Sequence, residues 1–342
     1  MTAGYAAHLL PIVWACIAAF TVLAYIVLDG FDLGLGILFM VERESHDRDV
    51  MVNTVAPVWD GNETWLVLGG ACLYGVFPLA YATILPALYP PIVAMLLALI
   101  FRGVAFEFRF KAHTRELRRL WDLSFFGGSL VAAAMQGVIL GALIQGIKVE
   151  HGQYAGGWFD WLTPFSLFCG VAVSIGYALL GACWLVWRTQ GELQVRSRRH
   201  AKPLAIIVIA MIVMVSVWTP ELQRQYLRHW YVWPRMIYVA PVPVLVAGLV
   251  VVFWRSITDE AVHLTPLLCV LGWFFLCFTG LGISIWPWIV PPAIDIWQAS
   301  SPPSSQLFLL VGAVILIPVV LGYTAYAYWI FRGKISDETH YH

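Results

Sequence analysis

Apolar runs of membrane-spanning length follow one another along the chain, separated by short polar stretches. A helix crosses a hydrocarbon core with about 20 apolar residues. Runs of that order cover 9–28, 123–147, 162–187, 203–218, 237–254, 265–285 and 307–331. The region 50–101 is long enough for two more, with a turn near Phe77-Pro78. The pattern predicts an all-α integral membrane protein, a polytopic bundle of about nine transmembrane helices forming a single membrane domain over residues 1–342. The run 203–218 is the shortest. A β-barrel does not fit, because the runs are continuous and do not alternate. The opening MTAGYAAHLL has no basic segment and no cleavage site ahead of its apolar run, so the first span is expected to be retained.

Composition agrees. The chain is 61% hydrophobic and 12% charged, where a soluble protein carries about 25% charged residues. The six cysteines all lie within apolar runs and form no close CxxC pair, so they read as small buried hydrophobes.

Charge gives the orientation. With nine spans, sixteen of the 20 Lys and Arg fall on one side: Arg43, Arg48, the Arg102–Arg119 segment, Arg188 to Lys202, Arg255, Arg332 and Lys334. Four fall on the other: Lys148, Arg224, Arg228 and Arg235. The basic side is expected to face the cytoplasm, which puts the N-terminus in the periplasm and the C-terminus in the cytoplasm. Counting eight spans scrambles this segregation. The basic segments suit an anionic inner leaflet, and no nucleic-acid partner is expected.

Charges inside the spans carry more information, because each costs about 2.5–3.5 kcal/mol at a helix centre. LDGFDLGLG places Asp29 and Asp32 three residues apart, on one helical face. Gly30, Gly34 and Gly36 keep that helix narrow enough for close approach by a neighbour. VWDGNETW repeats the spacing with Asp60 and Glu63, adds Trp59 and Asn62 on an adjoining stripe, and ends at Trp65. The second span runs inside-out, so Asp60 is expected at a depth like that of Asp29, with the two pairs facing across one helix contact. Close carboxylates share protons, which suits a proton relay. A snorkelling or capping pair for the first set and an interhelical hydrogen-bond knot for the second remain open.

Arg102, Glu107, Arg109 and Trp121-Asp122 read as a structural polar set at the membrane edge. Gln136, Gln145 and Gln306 read as interhelical hydrogen-bonders, and SIWPWIVPP as an outer loop in the aromatic belt. None of the nine histidines lies mid-span, so this chain is expected to hold no His-ligated haem and no metal. There is no P-loop and no H-E-x-x-H.

DGFDLGLG, APVWDGNETWL, FRGVAFEFR, WDLSFFGGS and RTQGEL together resemble subunit II of the cytochrome bd-type quinol oxidases, including the cyanide-insensitive branch. The motifs spread over the first 200 residues; SIWPWIVPP and SSQLFLLVG match more loosely. The resemblance implies a subunit of an inner-membrane enzyme that oxidises quinol and reduces oxygen to water. It implies a partner, subunit I, that carries the haems (b and d, or b only), while subunit II is haem-free. Asp29, Asp32 and Asp60 match positions associated with a cytoplasmic proton path, with Glu63 beside them. Glu63 departs from the Gln of several members and adds a titratable group. Trp65 matches a residue bordering an oxygen entrance in some members. Some members hold a structural quinone, and a small single-span accessory subunit and lipids are further implied partners. The outer loop between the sixth and seventh spans is shorter here than in some members.

Two other classes fit the acids alone. Intramembrane carboxylates also mark proton-coupled carriers, although no inverted repeat is visible. A purely structural scaffold is the third reading.

Overall fold

The computed structural model describes residues 3–233 and 235–335; His340 and His342 lie outside them. The chain runs through α1 (Ala3–Leu38), α2 (Ser45–Asn53), α3 (Trp59–Val76), α4 (Pro78–Ala87), α5 (Tyr89–Arg109) and α6 (Arg115–Gln145). A hairpin of β1 (Val149–Glu150) and β2 (Gln153–Tyr154) leads into α7 (Pro164–Arg188) and α8 (Gly191–Leu222). Next come α9 (Arg224–Tyr231), α10 (Arg235–Val239), α11 (Pro241–Thr258) and α12 (Thr265–Ile285). A second hairpin, β3 (Trp288–Val290) with β4 (Ile294–Asp295), precedes α13 (Ile296–Ala299) and α14 (Pro303–Ile330).

Among the described residues, eight helices are long and apolar enough to cross a membrane, and a bent pair, α3 with α4, makes a ninth. The 18 residues of α3 rise about 27 Å at 1.5 Å each, close to a hydrocarbon thickness. The expected turn is present: α4 departs from α3 by 119° at Phe77-Pro78. Residues 78–101 are nevertheless not one helix. Pro90 and Pro91 open a new one, since proline lacks the N–H that a helix interior needs but fits its first turn. The short run 203–218 also proves to be part of a longer helix, the 32-residue α8. Its first twelve residues are mostly polar, so the apolar run is shorter than the helix.

Contacts between distant segments gather the basic loops at one end. Arg196 pairs with Glu42 and Asp47, Arg48 with Asp122, and Arg109 with Asp49 and Asp122. The Ile335 amide donates to the Arg188 carbonyl. At the opposite end Ile147 bonds Pro291, Ser301 bonds Val76, Lys148 pairs with Asp160, and the Tyr226 hydroxyl donates to the Ile144 carbonyl. Nine crossings give this separation.

Most of α7 is buried, with α1, α6 and α8 packed around it. Small residues bring the backbones together. A Cβ on Gly34 would fall 1.8 Å from the Tyr177 carbonyl oxygen, and one on Gly181 2.5 Å from the Gly34 carbonyl carbon. By contrast α14 rests on α3 and α1 and leaves Phe308, Val311, Val314, Ile315 and Val319 exposed. The six cysteines are free thiols, and Cys16 is exposed.

Arg198 closes the α11–α12 loop. Its guanidinium donates to the carbonyls of Ser256, Ile257, Asp259, Glu260 and Val262 and meets the His263 ring at 3.1 Å. Burial, with Lys334 and Arg198 nearby, holds the His263 imidazole below its usual value, so the ring stays neutral and accepts. Removing the guanidinium leaves helix-end carbonyls without a donor, at a cost of about 1–3 kcal/mol. Arg198→Ala is therefore expected to lower the thermal midpoint of the purified protein by several degrees in a tryptophan-fluorescence melt. An unchanged midpoint would show that water satisfies those carbonyls equally well.

Candidate functional site

One acid of α1 and one of α3 converge on one cation from α5. Arg102 is fully buried, and its Nη1 donates to Asp29 Oδ1 at 2.7 Å while its Nη2 donates to Glu63 Oε1 of α3 at 2.5 Å. Asp29 is also fully buried; the Glu63 side chain keeps 29% exposure. A guanidinium suits this position because its planar fork can hold two carboxylates at once.

Asp32, one turn further along α1, takes a 2.7 Å hydrogen bond from Asn62 Nδ2, which also donates to the Leu28 carbonyl. The Tyr328 hydroxyl, near the end of α14, donates to Asn62 Oδ1 at 3.1 Å. Behind Asp29 lies Tyr25, whose hydroxyl accepts from Gln136 Nε2; the Gln136 carbonyl accepts from Tyr177, both at 2.8 Å. Asp29 Oδ2, Asp32 Oδ1 and Arg102 Nε remain without a hydrogen-bond partner. Three carboxylates thus surround one guanidinium, and full ionisation would leave two uncompensated negative charges in a low-dielectric interior. Among the described residues no group of three or more His, Cys, Asp or Glu is placed to hold a metal ion; the cation between these carboxylates is the guanidinium itself.

Comparison with known proteins decides the family. The sequence profile described as "Cytochrome bd terminal oxidase subunit II" matches residues 10–331. The chain belongs to that family. Similar relatives include the cytochrome bd-I ubiquinol oxidase subunit 2 of Escherichia coli strain K12, 30% identical over 97% of this chain and 96% of that one. The cytochrome bd ubiquinol oxidase subunit 2 of Bacillus subtilis strain 168 is 29% identical over 95% of this chain and 96% of its own. In fold, the chain resembles a solved bd oxidase chain from Geobacillus thermodenitrificans with a TM-score of 0.78, at 14% identity over 95% of this chain and 99% of that one. As a bd oxidase subunit II it is part of an oxidoreductase and a multi-pass protein of the bacterial inner membrane. Membership of this family sets the carrier reading aside.

The remaining candidate residues of this bd subunit divide. Of the Asp60/Glu63 pair expected to face the α1 acids only Glu63 does, and Asn62 stands beside it. Asp60 does not meet Asp29 across the helix contact: it is exposed on the flank of α3, near Glu63. The three-residue spacing puts Asp60 and Glu63 on one side of α3, but that side is the helix edge, and Asn62 takes the inward position. Trp59 is half-buried, with its ring stacked on Phe106 at 5.1 Å. Arg102 is no membrane-edge residue but the centre of the site. Glu107 is exposed and stands outside the cluster, because it lies on the opposite face of α5. Trp65 is fully buried, with the ring of Phe20 edge-on at 5.6 Å.

Gln136 bridges α1 and α7 as expected, and Gln145 accepts from Thr163. The Gln306 side chain instead bonds the nearby Ser301 carbonyl, while its backbone carbonyl accepts from Trp14. SIWPWIVPP forms the β3 hairpin at the end opposite the basic loops. Tyr25, Tyr177 and Tyr328 carry no local signal in the sequence; only the tertiary packing brings them to the acids.

Proposed function

We propose that this chain is the haem-free half of its oxidase. It packs against a haem-bearing subunit I and lines a proton path toward the oxygen-reducing haem there. The observation that carries this reading is the Asp29–Arg102–Glu63 chain, buried at one end and open at the other beside the exposed Asp60. A cluster with more carboxylates than cations takes up and releases protons as a unit. Reduction of oxygen to water consumes protons, and these need a polar route through about 30 Å of hydrocarbon. The basic end of the bundle faces the cytoplasm in this reading, with the N-terminus in the periplasm.

Oxygen is apolar and needs only a crevice of small residues. In this reading Trp65, met edge-on by Phe20, walls such a crevice, and Gly70 and Ala71 are exposed small residues further along the same helix.

Asp32→Asn and Glu63→Gln in the purified complex test the proton reading. Oxygen consumption is expected to fall on the order of 10- to 100-fold with haem absorbance intact. A scaffold role predicts loss of haem absorbance instead. Full turnover with normal haem content in both variants would remove the acids from the path.

A further inference from the structure

A second opening, lined mostly by aromatic side chains, reaches the same cluster from the basic end, and the proton reading above does not use it. Between the start of α3, the end of α7 and the end of α14 lies a small cavity of about 10 Å³ lined by Thr54, Val58, Trp184, Trp187, Arg188 and Tyr328. That is the space one water needs. Its walls are packed aromatic rings. Phe31 stacks on Trp184 at 4.0 Å, Trp184 meets Trp187 and Tyr328 edge-on, and the Trp184 indole donates to Thr54 Oγ1. Polar groups are few and placed at the two ends. At the outer end the Arg188 guanidinium lies over Trp184 and Trp187, 5.5 Å from each ring centre. At the inner end the Tyr328 hydroxyl donates to Asn62, and Asn62 donates to Asp32.

We infer that this cavity is the cytoplasmic entrance to the acid cluster and that Tyr328 is its relay residue. The inference rests on the proton-handling reading of the cluster. The charged groups facing the Tyr328 hydroxyl are Asp32, Asp29 and Arg188, and α3 contributes the neutral Asn62, which joins the hydroxyl to Asp32. Asp32 Oδ1 is buried and has no hydrogen-bond partner, so it is free to accept. A phenol between a water and a carboxylate passes a proton without a net change of its own. A hydronium in the cavity gives a proton to the Tyr328 oxygen, the original Tyr328 O–H bond breaks, and that proton goes to Asp32 Oδ1, directly after the hydroxyl turns off Asn62 or across one water. The water is left neutral, Asp32 becomes the carboxylic acid, and Tyr328 ends as it began. Asn62 then serves as the latch: its amide holds the hydroxyl when no proton is moving and keeps Asp32 oriented.

The experiment uses the assembled complex with its haem-bearing partner. Tyr328→Phe removes the relay oxygen and keeps the ring that packs on Phe31 and Trp184. Val58→Phe fills the cavity and leaves every hydrogen bond of the cluster in place. Both are expected to slow oxygen consumption on the order of tenfold or more with haem absorbance unchanged, and to enlarge the ratio of rates in H2O and D2O. A packing defect would not move that ratio. Full turnover in either variant with haems in place overturns the entrance, and so does a slowed variant whose isotope ratio equals that of the unmodified complex. Should Tyr328→Phe fail to assemble, Val58→Phe decides alone. Asp32→Asn measured alongside separates the two claims. If it is slow while the entrance variants are fast, protons use the cluster and arrive from elsewhere. If it too is fast, the cluster is not a path.

Discussion

Arg102→Leu is expected to abolish recovery of an assembled complex. Among the described residues the guanidinium is the only cation in contact with Asp29 and Glu63, and both it and Asp29 are shielded from solvent. Breaking a buried ion pair by removing one partner costs about 3–5 kcal/mol, because the other charge stays buried without compensation. Here one deletion strands two carboxylates and uncouples three helices, α1, α3 and α5. Arg102→Lys keeps the charge but reaches only one acid at a time, so it should assemble at reduced yield. Combining Arg102→Leu with Asp29→Asn and Glu63→Gln should restore part of the yield, since neither of the two carboxylates bonded to the guanidinium is then left as an unpaired anion. Yield and haem absorbance after detergent purification are the measurements. Normal recovery of Arg102→Leu would mean that the ion chain does not hold these helices together.

Gly34→Leu should be equally severe for a different reason. Even the Cβ would overlap the Tyr177 carbonyl oxygen, which belongs to a helix backbone and cannot rotate aside. Relief requires α1 and α7 to part along a seam where Gly34 meets Gly181. Parting them drags Asp29 and Asp32 off Arg102 and Asn62, so the loss of packing becomes a loss of the polar site as well. Without aqueous hydrophobic drive between helices, such close backbone contacts are a principal source of association in the bilayer. Gly34→Ala already carries the offending atom. Gly70→Ala is the control, as nothing lies within 4 Å of its added carbon. Size-exclusion profiles of the three variants in detergent should show aggregated or absent protein for the two at Gly34 and a normal peak for the control.

Much of this could be read from the residues before the coordinates. The apolar runs mark the crossings because lipid leaves the backbone no alternative to internal hydrogen bonding. Gly34 announced a close approach, and the Asp29/Asp32 and Asp60/Glu63 pairs announced a meeting of polar faces, of which Glu63 but not Asp60 takes part. Rotation about the helix axis was not legible. A three-residue spacing tells which residues share a side, not which side turns inward, and so Asp60 was expected where Asn62 stands. Arg102 stood at the edge of an apolar run and looked interfacial; only the position of α5 between α1 and α3 buries it. The tilt of α4 was hidden as well, because proline marks where a helix can begin and not the direction it takes. Tyr328 lies 266 residues from Asn62, and no local pattern spans that interval.

That separation also fixes a sequence of events at the ribosome. Asp29, Asp32, Asn62 and Arg102 are all synthesised long before Tyr328. The inner acids therefore wait, laterally uncovered on the α14 side, while the helices between are made. A nascent chain stalled before α14 would leave them open on that flank, and α14 is the segment that shuts the door.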